Sequence, residues 1–572
     1  MKRRFLLALA SGLIGVLAFP PFGFWPLAMV SVAGLSVAVH RVRCRSGAWL
    51  GLVFGAGLFG PMLHWTATYV GALPWLLLAF SQTWYLAALG ALLPLAQRTR
   101  WAPAAVGTLW VAEEAVRDRL PFGGFPWGRW AFSQADSPLR WFAPIGGMPL
   151  ISFAVALSGG WLAMGVLDRR RRPRLAALVA AVLVVGLGAG LSWPLKPRLA
   201  DDRSVTVAAI QGDVPDRGLE FNARRRQVLD NHVNQTLQLA ADIRAGTVPR
   251  PVMVLWPENA SDIDPTDNTD AAQQIQRATD AVGVPILVGA VLDGPGENHV
   301  SNVGLVWMPT SSTDPGPGQR YVKRHPVPFA EYIPLRSLAR RVSDKVDLVQ
   351  RDMVSGSGNG LLSQLPVPVG DVICFEVAYD SLVNSSVRAG AQLLVVQTNN
   401  ATFGHSGETY QQLAMSKLRA IEHARTVVQV ATSGKSAIID PTGRTVASSG
   451  ALFTPAILVR TVPLSTSTTL ATRLGATVEW LLVAIAAIAM LDGGRPVRGR
   501  LAGRRAATAR TRLAEAAAHD ERDDTERAST GRQRQPAERP GGHPDVQRAG
   551  EPAIDRPAAD ARGARGARPG GG

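Results

Sequence analysis

Three polar residues stand at the ends of apolar, strand-like runs. Val252-Met253-Val254-Leu255-Trp256-Pro257 leads into Glu258, Arg320-Tyr321-Val322 into Lys323, and Val369-Gly370-Asp371-Val372-Ile373 into Cys374. Open α/β sheets place ligand sites where strands end, so such runs can bring a carboxylate, an amine and a thiol together. A thiol with a pKa near ~8.5 is mostly protonated at neutral pH. A neighbouring carboxylate can take its proton, and a neighbouring ammonium favours the thiolate. The same ammonium can then stabilise the oxyanion of a tetrahedral intermediate. The pattern alone also fits a plainer role. A single Cys after a strand is often a small hydrophobe, and a strand-end Glu or Lys is often a solvated charge.

The elements that must position these groups fill the segment from 203 to 465. Short β-rich runs there alternate with amphipathic stretches and turn signals, which predicts an α/β domain with its own core. Strands are expected at 205–210, 252–256, 285–291, 302–307, 320–323, 369–374, 393–398, 427–431 and 437–439, and helices at 222–243, 270–281 and 411–425. Segment 332–360 lacks regular pattern and ends in a Gly/Ser-rich run, so it reads as a mobile loop or lid. Only two cysteines occur, Cys44 and Cys374. That count excludes a Cys-rich metal site and makes a free thiol the expectation for Cys374.

Apolar residues make up 47% of the 572 residues, yet the chain also carries 60 Lys+Arg and a net charge of +16. Segregation resolves the conflict. The apolar residues crowd into 1–195 and into 470–491, and a spanning helix needs roughly 20 of them. Candidate spans lie at about 5–19, 24–40, 48–69, 73–96, 102–117, 143–167, 175–193 and 470–491, about seven before the α/β domain and one after it. The first has a signal-peptide shape as well, although no small-residue cleavage site precedes Pro20 and the cluster Phe22, Phe24 and Trp25 fits an interfacial turn. Lys2-Arg3-Arg4, the loops around 41–45, 98–100 and 169–172, and the run 495–505 all fall on one side when eight spans are counted. The N-terminus and tail are then cytoplasmic and the α/β domain extracytoplasmic. Basic residues placed this way argue for membrane orientation and against nucleic-acid binding. The aromatic loop 120–142 reads mainly as an interfacial belt, with a lipid-facing wall as a possible addition. Glu113 and Glu114 should face protein or water, whether for structure or function. Segment 493–572 is rich in Arg, Ala, Gly and Pro and has no aromatic residue, which predicts a disordered tail.

Leu255-Trp256-Pro257-Glu258, the run from Tyr321 through Lys323 and Glu331 to Pro334, and Gly370-Asp371-Val372-Ile373-Cys374-Phe375-Glu376 resemble the three catalytic blocks of the nitrilase superfamily. In order and context they look like those of the apolipoprotein N-acyltransferases. The run Ala18-Phe19-Pro20-Pro21-Phe22-Gly23-Phe24-Trp25-Pro26 and the loop Gly124-Phe125-Pro126-Trp127-Gly128 resemble that family's membrane part. The resemblance implies an αββα sandwich on a polytopic helical membrane bundle in a bacterial plasma membrane. Glu258 matches the general base, Lys323 the oxyanion stabiliser and Cys374 the nucleophile, with Glu331 and Glu376 as supporting carboxylates. It implies a phospholipid acyl donor, a thioester on Cys374, and the amine of a diacylated apolipoprotein as acceptor. No metal or organic cofactor is implied, and the expected state is a monomer. Phe375 stands where the family often has Tyr, Asn400 and Thr402 where it commonly has Asp and Trp, and a family Trp is replaced near Phe221. A membrane-anchored amidase and a non-enzymatic membrane scaffold remain the alternatives.

Overall fold

A computed structural model describes residues 1–168, 170–195, 203–214 and 225–494. The expectations for the tail, for Phe221 and for the first turn of the helix at 222–243 lie outside the described residues.

The apolar N-terminal segments form helices α1 Lys2–Val16, α2 Pro26–Ala38, α3 Cys44–Met62, α4 Ala67–Val70, α5 Ala72–Ala96, α6 Ala102–Arg117, α7 Ala143–Leu167 and α8 Arg171–Leu195. Among the described residues, four helical stretches are long and apolar enough to cross a membrane: Ala72–Ala96, Pro138–Leu167, Arg171–Leu195 and Thr477–Gly494. Small residues let the bundle close. A Cβ on Gly47 or Gly51 of α3 would run into the α5 backbone at Gly90 and Leu86.

Two sheets follow. β1 Ser204–Gln211, β2 Met253–Leu255, β3 Ile286–Asp293, β4 His299–Met308, β5 Gly316–Val322 and β6 Asp352–Met353 lie in the first. β7 Leu361–Leu362, β8 Val369–Ile373, β9 Leu393–Thr398, β10 Thr426–Ala431, β11 Ala437–Ile439 and β12 Thr445–Ser448 make the second, while β13 Ala456–Pro463 returns to pair with β1. The strand orders are β13-β1-β2-β3-β4-β5 and β12-β11-β10-β9-β8-β7. Alternation builds the layers. Val207 and Ala209 of β1 face Leu393 and Val395 of β9 in the core between the sheets. Ala208 and Ile210 point the other way, under α9 Arg225–Arg244 and α10 Thr269–Val282. The far face of the second sheet, including Leu394 and Val396, shares one core with α13 Glu408–His423 and the membrane-side helices. The sandwich is therefore αββα.

Several expectations need correction. Segment 332–360 is more regular than its sequence suggests, holding α11 Arg336–Val342, a 3-10 turn Asp344–Leu348 and β6. The short α12 Asp380–Arg388 and strands β12 and β13 carry no clear local signal. The stretch 470–491 is not one helix. Gly475, at φ +55°, separates α14 Leu470–Leu474 from α15 Thr477–Gly494. Most rings of the aromatic loop do not form an exposed belt: Trp127 and Trp130 are each 1% exposed and Phe132 is 2% exposed, inside the core shared with the sandwich, whereas Phe122 is exposed.

Gly289 on β3 is a positioning device. A Cβ there would collide with the Pro257 carbonyl and with Glu258 Cα. Gly289→Ala should displace the Glu258 turn, lowering stability by about 1–3 kcal/mol through overpacking. Catalytic activity should fall further than the change in melting temperature explains. Unaltered activity in the folded variant would show that this close approach does not matter.

Candidate active site

β2, β5 and β8 deliver the three chemical groups. Glu258 follows β2 by a short turn, Lys323 follows Val322 at the end of β5, and Cys374 follows Ile373 at the end of β8. The chain turns sharply at Cys374, whose φ of +55° is the left-handed region, and a 3-10 turn Cys374–Ala378 begins there. A non-glycine residue held at such a dihedral costs on the order of 1–3 kcal/mol and persists only where its surroundings over-determine it.

Glu376 supplies much of that determination. Its carboxylate accepts from the Ile373 N–H at 2.9 Å, the Arg324 N–H at 2.7 Å, the His325 N–H at 3.1 Å and the Tyr321 hydroxyl at 3.0 Å. One buried carboxylate thus ties the turn after β8 to the loop after β5, fixing Cys374 relative to Lys323.

Lys323 is fully buried, and its Nζ donates to Glu258 Oε1 at 3.0 Å and to Glu331 Oε1 at 2.6 Å. Burial opposes the ammonium, but the Glu258 and Glu331 carboxylates outweigh it and hold Lys323 well above its ordinary pKa. Glu331 is fixed in turn by the Val327 N–H at 2.8 Å. Glu258 also accepts from Asn302 Nδ2 at 2.7 Å on Oε1 and from the Asn399 N–H at 3.0 Å on Oε2. The structure thus gathers Glu258, Lys323, Glu331 and Cys374, and sets Glu376 behind them.

Cys374 is half-buried and its sulfur feels the charges of Glu258 and Lys323. Burial pushes the thiol upward, Glu258 adds to that, and Lys323 pulls against both. The balance favours the thiol over the thiolate. Thr398 Oγ1 and Gln412 Nε2 lie 3.4 and 3.6 Å from the sulfur. Asn302, Thr398, Asn399 and Gln412 were not among the expected site residues. Their signals were present: Asn302 interrupts the apolar run Val300 to Val306, and Gln412, Ser416 and Arg419 put a polar stripe at helical spacing on a buried face.

The turn at Cys374 leans on the N-terminal helical part. Phe375 stacks on Phe125 and Trp127, each at 5.7 Å between centroids. Arg129, from the loop after α6, reaches Asp380 at 3.0 Å, Asp118 at 3.3 Å and Glu114 at 3.6 Å. Arg419 on α13 pairs with Asp380 at 2.8 Å and donates to the Val377 and Ala378 carbonyls at 2.9 and 3.1 Å. Glu113 pairs with Arg117 at 2.8 Å, so both glutamates of α6 are answered by arginines within the protein.

A thiol, a carboxylate and a buried ammonium at the strand ends of an αββα sandwich define a nitrilase-type fold, here carried on apolar helices. The sequence profile described as carbon-nitrogen hydrolase matches residues 207–472, and that described as apolipoprotein N-acyltransferase N-terminal domain matches residues 11–161. An apolipoprotein N-acyltransferase of Mycolicibacterium smegmatis is 41% identical over 526 residues, covering 88% of this chain and 87% of that protein. One from Pseudomonas putida is 32% identical over 468 residues, covering 77% and 87%. Among solved structures, an amidase from Nesterenkonia sp. aligns with a TM-score of 0.32 at 16% identity, covering 45% of this chain and 90% of that one. The chain belongs to the apolipoprotein N-acyltransferase family.

The raised thiol pKa gives a direct expectation. Alkylation of Cys374 by iodoacetamide in the substrate-free protein should keep climbing, about tenfold per pH unit, past the ~8.5 at which an ordinary thiol levels off. A plateau at or below that pH would contradict this electrostatic picture.

Proposed function

We propose that Cys374 carries the acyl group in this enzyme, with Glu258 as its base and Lys323 as the stabiliser of both tetrahedral intermediates. Family membership makes the reaction lipoprotein N-acylation, with a phospholipid and a lipoprotein as substrates in a bacterial membrane. The observation that carries the assignment is the buried Lys323 ammonium bonded to Glu258 within electrostatic reach of the Cys374 sulfur.

In this reading Glu258 takes the thiol proton and Sγ attacks an ester carbonyl carbon of the phospholipid. Negative charge gathers on the carbonyl oxygen, where the Lys323 ammonium offsets it. The ester C–O bond breaks, and the lysophospholipid oxygen leaves with the proton held by Glu258. The α-amine of the diacylglyceryl-cysteine then attacks the thioester and gives a proton to Glu258. The C–S bond breaks, its electron pair returns to Sγ, and the proton follows. Glu331 keeps Lys323 charged and aimed, and Glu376 positions the turn.

The same reading has eight membrane crossings, α14 and α15 counting as one, with the N-terminus and tail cytoplasmic and the sandwich outside. Basic flanks support it, as do lipid-accessible apolar faces such as Leu76, Phe80 and Trp84 on α5 and Val182 and Leu183 on α8. In this reading the working unit is a monomer.

Incubation with a phospholipid of defined acyl chains should add one acyl mass to the intact protein. Hydroxylamine should remove it, a diacylglyceryl-peptide should discharge it, and Cys374→Ala should never acquire it. Persistent absence of the adduct in an active wild-type preparation would overturn the thioester route.

A further inference from the structure

We infer that Gln412 is a further catalytic residue, an amide N–H donor to the Cys374 sulfur, and that Glu408 positions it through Asn400. The inference rests on Cys374 being the nucleophile. It identifies a chain of side chains behind the sulfur, on the side of α13.

The chain can be followed atom by atom. Glu408, 2% exposed at the start of α13, accepts through Oε2 from Asn400 Nδ2 at 2.9 Å. The same Asn400 Nδ2 donates to Gln412 Oε1 at 2.9 Å. Thr398 Oγ1 also lies 2.9 Å from Gln412 Oε1. With two donors on its oxygen, the Gln412 amide must turn its Nε2 the other way, where it meets Cys374 Sγ at 3.6 Å. Asn400 and Gln412 are 1% and 0% exposed, so their orientations are set by these partners rather than by water.

Polarity runs in one direction along this path. Glu408 offers an acceptor, so Asn400 turns its NH₂ group toward it. That group also reaches Gln412 Oε1, which leaves the Gln412 NH₂ group for the sulfur. Thr398 cannot do the same work alone. Its hydroxyl has one proton, to be given either to Gln412 Oε1 at 2.9 Å or toward Sγ at 3.4 Å, whereas the Gln412 amide nitrogen carries two. A donor on sulfur favours the thiolate over the thiol. It acts twice in the proposed cycle: when the thiol gives up its proton, and when the C–S bond breaks and its electron pair returns to Sγ. The titratable groups facing the sulfur are Glu258 from the β2 turn, Lys323 from the end of β5 and Glu408 from α13, whose carboxyl burial pushes up to about 8. Lys323 is the one cation among them, and it is shared with two carboxylates. Beside the Thr398 hydroxyl, whose one proton is contested, the Gln412 amide is the neutral donor to the sulfur.

The test uses the full-length protein with Cys44→Ser, so that Cys374 is its one thiol. Iodoacetamide alkylation of Cys374 is timed at fixed pH in Gln412→Met, Glu408→Leu and Glu408→Gln. Gln412→Met should slow alkylation about tenfold or more, the loss of one hydrogen bond to a charged group. Turnover should drop through kcat, with KM for phospholipid little changed. Glu408→Leu should slow alkylation severalfold. Glu408→Gln keeps an oxygen for Asn400 and should restore a rate at or above that of the parent. A purely packing role would instead make the two Glu408 variants alike. Wild-type alkylation rates in Gln412→Met and Glu408→Leu, with unchanged circular dichroism, would overturn the inference. If Gln412→Met does not fold, the Glu408 pair decides: equal rates sink the idea. A parent protein that alkylates at Cys374 but never takes an acyl group from phospholipid would instead remove the thioester reading beneath it.

Discussion

A lysine ammonium buried between two carboxylates is the constraint around which the sandwich is organised. An isolated buried ammonium would neutralise or stay in water; Lys323 stays charged because Glu258 and Glu331 both bond it. Each carboxylate is held in turn, Glu258 by Asn302 and the Asn399 N–H, Glu331 by the Val327 N–H. The charge therefore depends on β2, β4, β5, β9 and the loop after β5 all being in register. A thiol placed beside it needs the left-handed turn at Cys374, and that turn needs Glu376. Strain at one residue is met by four hydrogen-bond donors at another.

The second dependence runs towards the membrane. One hydrophobic core contains residues of the apolar helices, of the turn at Cys374 and of α13, including Trp65, Trp127, Phe375, Val377 and Leu418. Arg129 and Arg419, both buried, meet the partly exposed Asp380 across the same junction, and Arg419 holds two carbonyls of the turn at Cys374. Such a cluster is costly to break, because removing one partner strands the others without water. The position of Cys374 is thus set from both sides, by the sandwich through Glu376 and by the membrane part through Phe375 and Asp380. A substrate whose acyl chain lies in lipid suits the proposed placement of the nucleophile, Cys374, at that seam.

Much of this was legible in the sequence, and what was missed follows a pattern. Buried strands of Val, Ile and Leu bounded by turns are local signals, so β1, β3, β8, β9 and β10 could be read to within a few residues. β13 could not, because it depends on a partner about 250 residues away, β1, and has exposed, polar positions of its own. α12 is short and rich in Ser and Asn; Val383 and Val387 on one face, packed in the shared core, hold it rather than propensity. The rings of loop 120–142 suggested an interface since aromatic residues near spans usually lie there. Most are buried or half-buried instead, Phe125 and Trp127 against Phe375 and Trp130 against Phe19 and Trp110, while Phe122 stays 42% exposed. Glu258, Lys323 and Cys374 stood out because each ends an apolar run, whereas Asn400, Glu408 and Gln412 have meaning only through one another's orientation.

The most direct test of the account concerns Lys323, which is proposed to serve both half-reactions. Lys323→Met keeps the stem and removes the charge. Single-turnover rates of acyl-enzyme formation from phospholipid and of acyl transfer to a diacylglyceryl-peptide should both fall, each by roughly 10²–10³, the scale of losing an oxyanion stabiliser. A variant in which one step is slowed and the other proceeds at the wild-type rate would contradict a single oxyanion site for both.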